Sequence, residues 1–130
     1  MLAFCAWAAA AIERAPPPGQ SGSERIRRTR ELILARLASP ALSVVELGAW
    51  VGCHPDHLAR LFRKETSQTI VGHIRSVRLA RARELLADPA LRVIDVARRV
   101  GMPVPAYFSR VYRRAFGVAP AADRHALPGG

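Results

Sequence analysis

The sequence predicts an all-α fold, a seven-helix domain in which two helix-turn-helix motifs are joined by a long central helix. Three observations carry that expectation. Leu47-Gly48-Ala49-Trp50-Val51-Gly52-Cys53 is echoed forty-nine positions later by Val96-Ala97-Arg98-Arg99-Val100-Gly101-Met102, in the same apolar/small/glycine order. Arg60-Leu61-Phe62-Arg63-Lys64 returns as Arg110-Val111-Tyr112-Arg113-Arg114 at an offset of fifty, so the second copy holds one extra residue in its turn. No segment alternates with period two over a useful length, which leaves no candidate strand.

The first helix opens at Ser23-Glu24 and runs to about Ala38, with Ile26, Leu32, Ile33 and Leu37 as its apolar stripe and Ser39-Pro40 as its stop. Ser43 caps the second helix, with Glu46 three residues on at capping-box spacing. In each copy a small residue, Gly48 or Ala97, stands where two backbones approach, and Gly52 or Gly101 supplies the positive φ of the turn. Pro55 suits the first position of the third helix. Leu58, Leu61 and Phe62 form that helix's buried stripe, mirrored by Phe108, Val111 and Tyr112.

Thr69 caps a long fourth helix over about Ile70–Ala87, where Ile74, Leu79, Ala82, Leu85 and Leu86 point inward between Arg75, Arg78, Arg81 and Arg83. Asp88-Pro89 ends it. Eighteen residues give a spacer of roughly 27 Å, near the ~34 Å between successive major-groove faces of B-DNA. Helices over about Val93–Val100, Pro105–Phe116 and a short stretch after Pro120 complete the set.

At 130 residues the chain is one ordinary domain with a tail or two very small units. Its formal net charge is +10, and residues 23–130 hold 19 of the basic and 9 of the acidic side chains. A basic excess of this size makes nucleic acid the default partner, and arginines spread over several short helices argue against a membrane surface. Two cysteines, Cys5 and Cys53, are too few for a disulfide framework and point to an intracellular, cytoplasmic location, with nucleoid association expected only through a nucleic-acid partner. Cys53 is expected to be a small buried apolar residue, like Met102 in the other copy. The apolar stretch Met1–Ile12 falls short of the ~20 residues that span a bilayer, and no basic leader precedes it. Residues 1–22 are therefore expected as an apolar segment and a Pro/Gly-rich linker, the remnant of an upstream sensor domain. Residues 23–126 form the folded unit and residues 127–130 a disordered tail.

No Ser/His/acid set, phosphate-cradling glycine loop or paired-carboxylate cleft stands out, so no enzyme is expected and no cofactor. Cys53, His54, Asp56 and His57 lie close together, but tetrahedral sites draw on two well-spaced pairs and Cys53 is needed inward, so no metal is expected.

The run His57-Leu58-Ala59-Arg60-Leu61-Phe62-Arg63-Lys64-Glu65-Thr66, then Arg78-Leu79-Ala80-Arg81-Ala82-Arg83-Glu84-Leu85-Leu86, then Tyr107-Phe108-Ser109-Arg110 with Phe116-Gly117-Val118 and Pro120, resembles the DNA-binding domain of AraC/XylS-type transcription regulators. The resemblance covers about residues 42–124. It implies a seven-helix domain that acts in transcription, with base-reading positions at Asp56, Ala59 and Arg60 in the first motif and at Pro105, Ala106, Ser109 and Arg110 in the second. Arg60 and Arg110 are the candidates for guanine contacts, because one guanidinium can bond O6 and N7 together, and Asp56 can accept from a cytosine amino group. Arg63, Lys64, Arg113 and Arg114 are the candidate phosphate partners.

The sequence departs from the family pattern at three places. Pro105 and Ala106 stand where polar residues are common and offer only apolar contact, Met102 replaces a usual phenylalanine, and Asp123 stands where an aromatic is typical. The last helix is accordingly expected to pack loosely. The functional expectation is a sequence-specific double-stranded DNA-binding regulator that reads two adjacent major-groove segments. The domain is expected to be monomeric, with dimers only through a sensor domain, and RNA polymerase is a second candidate partner. The alternatives are a non-specific architectural nucleic-acid-binding protein, or the DNA-binding fragment of a longer ligand-sensing regulator.

Overall fold

The computed structural model describes residues 22–126. The expected N-terminal helix and linker, Cys5 and the expected tail at 127–130 lie outside the described residues. Seven helices and no strand occur among them: α1 Gly22–Ala35, α2 Val44–Val51, α3 Pro55–Thr66, α4 Ile70–Leu86, α5 Val93–Arg99, α6 Pro105–Phe116 and α7 Pro120–Ala126. Described residues 22–36 and 41–74 form one compact unit, and residues 37–40 and 75–126 a second.

In the first unit, α1 buries Ile26, Thr29 and Ile33 on one stripe, and the Thr29 hydroxyl donates back to the Arg25 carbonyl at 2.8 Å. The helix stops near Ala35, three residues before the expected end. Pro40 keeps Ser39 out of the helical region, and the carbonyls of Leu37 and Ser39 are held by Arg78, at 3.3 Å to Nε and 2.6 Å to Nη2.

Ser43 caps α2 as expected, its hydroxyl accepting from the Glu46 N–H at 3.3 Å. At the other end Gly52 sits at φ 69°, and the Cys53 N–H reaches back to the Gly48 carbonyl at 2.8 Å. That bond encloses the turn as a Schellman closure. A Cβ on Gly48 would lie 2.6 Å from the Cys53 oxygen, so the small residue there is a steric requirement. In α3, Leu58 and Phe62 are fully buried, as expected. Leu61 is only half-buried, a correction to the expected stripe: it lies at the edge, close against the first residue of α1, Gly22. Cys53 is also half-buried instead of inward, its thiol 3.5 Å from the His54 carbonyl oxygen, because the turn carries it outward before α3 begins.

The second unit repeats the design. Gly101 takes φ 78°, and the Met102 N–H bonds the Ala97 carbonyl at 2.9 Å, the counterpart of the Cys53–Gly48 closure forty-nine residues earlier. Its core gathers Leu79, Ala82, Leu86, Val96, Ala97, Val100, Met102, Phe108 and Tyr112. Val111 and Leu85 are partly buried at the margin of that core rather than within it.

The expected loose packing of the last helix is overturned. Asp123 is 5% exposed and accepts a hydrogen bond from the Tyr112 hydroxyl, while Arg83 pairs with the same carboxylate oxygen at 3.2 Å. Arg124 donates to the carbonyls of Leu86 and Leu91, which ties α7 to the end of α4 and the loop after it. Where an aromatic would fill the site by bulk, this chain fills it with a satisfied ionic network.

Candidate nucleic-acid interface

Each unit presents the second helix of its motif with one face buried and the opposite face outward. On α3, Leu58 and Phe62 anchor the inner side. Asp56, Ala59, Arg60, Arg63 and Lys64 recur at helical spacing on the other side, all exposed except the half-buried Ala59. On α6, Phe108 and Tyr112 anchor the inner side, and Pro105, Ala106, Arg110, Arg113 and Arg114 are exposed, with Ser109 half-buried beside the core. The structure thus gathers the candidate residues into two groups, one on each helix. Arginine side chains in and behind α6 also differ in how they are used.

Arg83 and Arg124 are bound to Asp123 and to main-chain carbonyls, and Arg78 holds the carbonyls of Leu37 and Ser39. Burial pushes the Arg78 guanidinium below its ordinary value. Of the arginines expected outward on α4, Arg78 is half-buried and Arg83 is exposed but paired with Asp123, so both serve the fold. By contrast, none of Arg60, Arg63, Lys64, Arg113 and Arg114 forms an ion pair among the described residues. These cations remain available to an external anion.

The two faces are not equivalent. α3 carries Asp56 in its first turn, where an acid is favoured by the helix dipole, and Glu65 in its last. α6 holds no acidic residue at all. Ser109, Arg110, Arg113, Arg114 and Ala119 line a groove of about 470 Å³.

Two features at these helices were not anticipated. His54 caps α3, its Nδ1 accepting from the Asp56 N–H at 3.2 Å, with the Asp56 carboxylate 3.9 Å away. The signal lay in its place directly before Pro55, although histidine is not a favoured cap. Tyr107 stands in the sequence only as one member of the Tyr107-Phe108-Ser109-Arg110 run. It lies exposed on α6, with the Arg110 guanidinium 5.6 Å above its ring, and the i, i+3 spacing of the pair is its sequence signature.

Among the described residues no group of three or more His, Cys, Asp and Glu side chains is placed to hold a metal ion. No helix among them is long and apolar enough to cross a membrane.

A helix-turn-helix domain family model matches residues 47–126. The chain is 36% identical over 95 residues to the HTH-type transcriptional regulator CdhR of Pseudomonas aeruginosa, covering 73% of the chain and 28% of that protein. It is 30% identical over 122 residues to the HTH-type transcriptional regulator GlxA of Rhizobium meliloti, covering 89% and 38%. The chain thus spans well under half the length of the curated relatives that it matches. Among solved structures, the C-terminal domain of AraT, a response regulator from Geobacillus stearothermophilus, superposes with a TM-score of 0.76 at 25% identity, covering 88% of each chain. The DNA-binding domain of AdpA, a global transcriptional factor solved in complex with a target DNA, superposes with a TM-score of 0.72 at 27% identity, covering 78% of this chain and 90% of that one.

Proposed function

Because this chain belongs to the AraC/XylS-type family of helix-turn-helix transcription regulators, we propose that it binds double-stranded DNA sequence-specifically and regulates transcription, each motif laying its second helix in a major groove. The observation that carries the reading is the pair of outward basic faces on α3 and α6, each braced by a buried apolar stripe and each free of internal ion pairs at its phosphate-contact candidates. The likeness to a DNA-binding domain solved on its target supports it.

In this mechanism Arg63, Lys64, Arg113 and Arg114 neutralise phosphates and release counterions, which supplies most of the affinity and makes it fall with salt. Asp56, Ala59 and Arg60 read bases from α3. Ser109 and Arg110 read them from α6, where Pro105 and Ala106 offer apolar contact such as that to a thymine methyl. Because the two faces differ, the site is asymmetric, and adjacent major-groove segments serve the two helices. The domain acts as a monomer in the cytoplasm, on the nucleoid, with RNA polymerase as a second partner and no catalytic role.

Selection of bound duplexes from a random pool, followed by footprinting, tests the reading. The expected result is an asymmetric site with two protected segments about one helical turn apart. Equal affinity for selected and scrambled duplexes at every salt concentration would show a non-specific coating protein instead.

A further inference from the structure

The outer face of α6 carries a single exposed aromatic side chain. Tyr107 is 38% exposed, and the Arg110 guanidinium carbon lies 5.6 Å from its ring centroid. We infer that Tyr107 is a positioning residue that aims Arg110 at one base pair, so that the sequence preference of this helix depends on a ring that reads no base itself. The inference rests on the base-reading role proposed for Arg110.

Three observations support it. Bidentate recognition of guanine demands that the planar guanidinium fork lie in the plane of the base pair, and an unheld arginine samples many rotamers. α6 offers no acid to hold Arg110, and Arg113 and Arg114 nearby repel it. A flat ring one turn earlier is the remaining group that can fix both its position and its plane, through attraction between the cation and the ring face.

The ring is itself restrained. Phe108, the next residue, is fully buried and fixes the orientation of this turn, and Pro105 sets the first helical position.

The composition of the face makes the aim of Arg110 matter. Pro105 and Ala106 have no side-chain hydrogen-bonding atoms, and Ser109 is half-buried. Hydrogen-bonded base readout from this helix thus falls chiefly on Arg110, and a loosely aimed Arg110 would still attract phosphate while discriminating poorly among bases.

The test uses the full chain with duplexes that it selects from a random pool and all their single-base-pair variants. Arg110→Ala, with Tyr107 intact, identifies the base pair that Arg110 reads. Tyr107→Leu is expected to lower discrimination at that pair by about 2- to 5-fold, leaving the other pairs unchanged, while Tyr107→Phe restores it and Tyr107→Leu adds no loss in the Arg110→Ala background. Unchanged discrimination in Tyr107→Leu, or a loss spread over all sequences or persisting in the Arg110→Ala background, overturns the positioning role alone. If Arg110→Ala itself leaves every pair unchanged, the base-reading role falls and the positioning role with it. Melting curves of the Tyr107 variants, expected to match the parent, separate loss of aim from loss of fold.

Discussion

The Tyr112 hydroxyl donates a hydrogen bond to Asp123 within the second unit, and the Arg83 guanidinium closes on the same carboxylate oxygen at 3.2 Å. Burial first, and then the hydrogen bond to Asp123, hold the Tyr112 phenol well above its ordinary value. At pH values below about 10 the phenol is protonated in both the folded and the unfolded chain, and its contribution to stability is fully present. At higher pH the unfolded chain releases the proton while the folded one retains it, so stability falls with rising pH. Thermal melts between pH 9 and 11 should show that fall, and Tyr112→Phe should flatten it while costing about 1–3 kcal/mol near neutrality. A parent and variant with the same alkaline slope would rule the linkage out. Burial also raises the Cys53 thiol, which adds a smaller loss in the same direction and is present in both proteins.

Gly48 has no room for a side chain, because an added Cβ would meet the Cys53 carbonyl at 2.6 Å, a backbone contact that no rotamer change relieves. Gly48→Ala should therefore destabilise the first unit by about 1–3 kcal/mol through overpacking. Chemical denaturation of the variant gives the number directly. A midpoint equal to the parent's would mean that the turn after α2 can open without cost.

Leu58 is fully buried, whereas Leu61, one turn along the same helix, is half-buried. Leu58→Ala should cost about 2–5 kcal/mol by loss of burial and cavity formation, and Leu61→Ala roughly half of that or less. Urea melts of both variants rank them. Equal losses would place Leu61 in the core after all.

Arg60 and Arg63 lie one turn apart on the outer face of α3, and they are expected to play different roles. Arg60→Ala should weaken binding to a selected duplex by about 1–3 kcal/mol and relax preference at one base pair. Arg63→Ala should weaken all duplexes alike and reduce the slope of log K against log salt by about 1. Titrations at several salt concentrations, on selected and scrambled DNA, distinguish the two. The reverse pattern would exchange their assignments.

Much of the architecture was legible from local chemistry. Gly52 and Gly101 take the left-handed backbone that their places in the repeat required, and Pro55 and Pro105 open the helices that they were expected to open. Buried positions at helical spacing, such as Leu58 with Phe62 and Phe108 with Tyr112, were equally visible, because periodicity reports which face is removed from water. The outward positions of Arg60, Arg63, Arg110 and Arg113 followed from the same periodicity.

Three features were decided by contacts between residues far apart in the chain. Just past the end of α1, the Leu37 and Ser39 carbonyls are held by Arg78, about forty positions away, a contact that no local propensity records. Asp123 looked like a weak point when compared with an aromatic, and became an anchor because Arg83 and Tyr112 converge on it. Arg78, Arg83 and Arg110 are the same residue type, and only tertiary structure separates the two that brace the fold from the one left facing outward. The sequence by itself determined the repeated helical pattern and its basic faces, since period, turn residues and charge are local properties. Which arginines are bound internally depends on distances across the fold, and these exist only once the chain has packed.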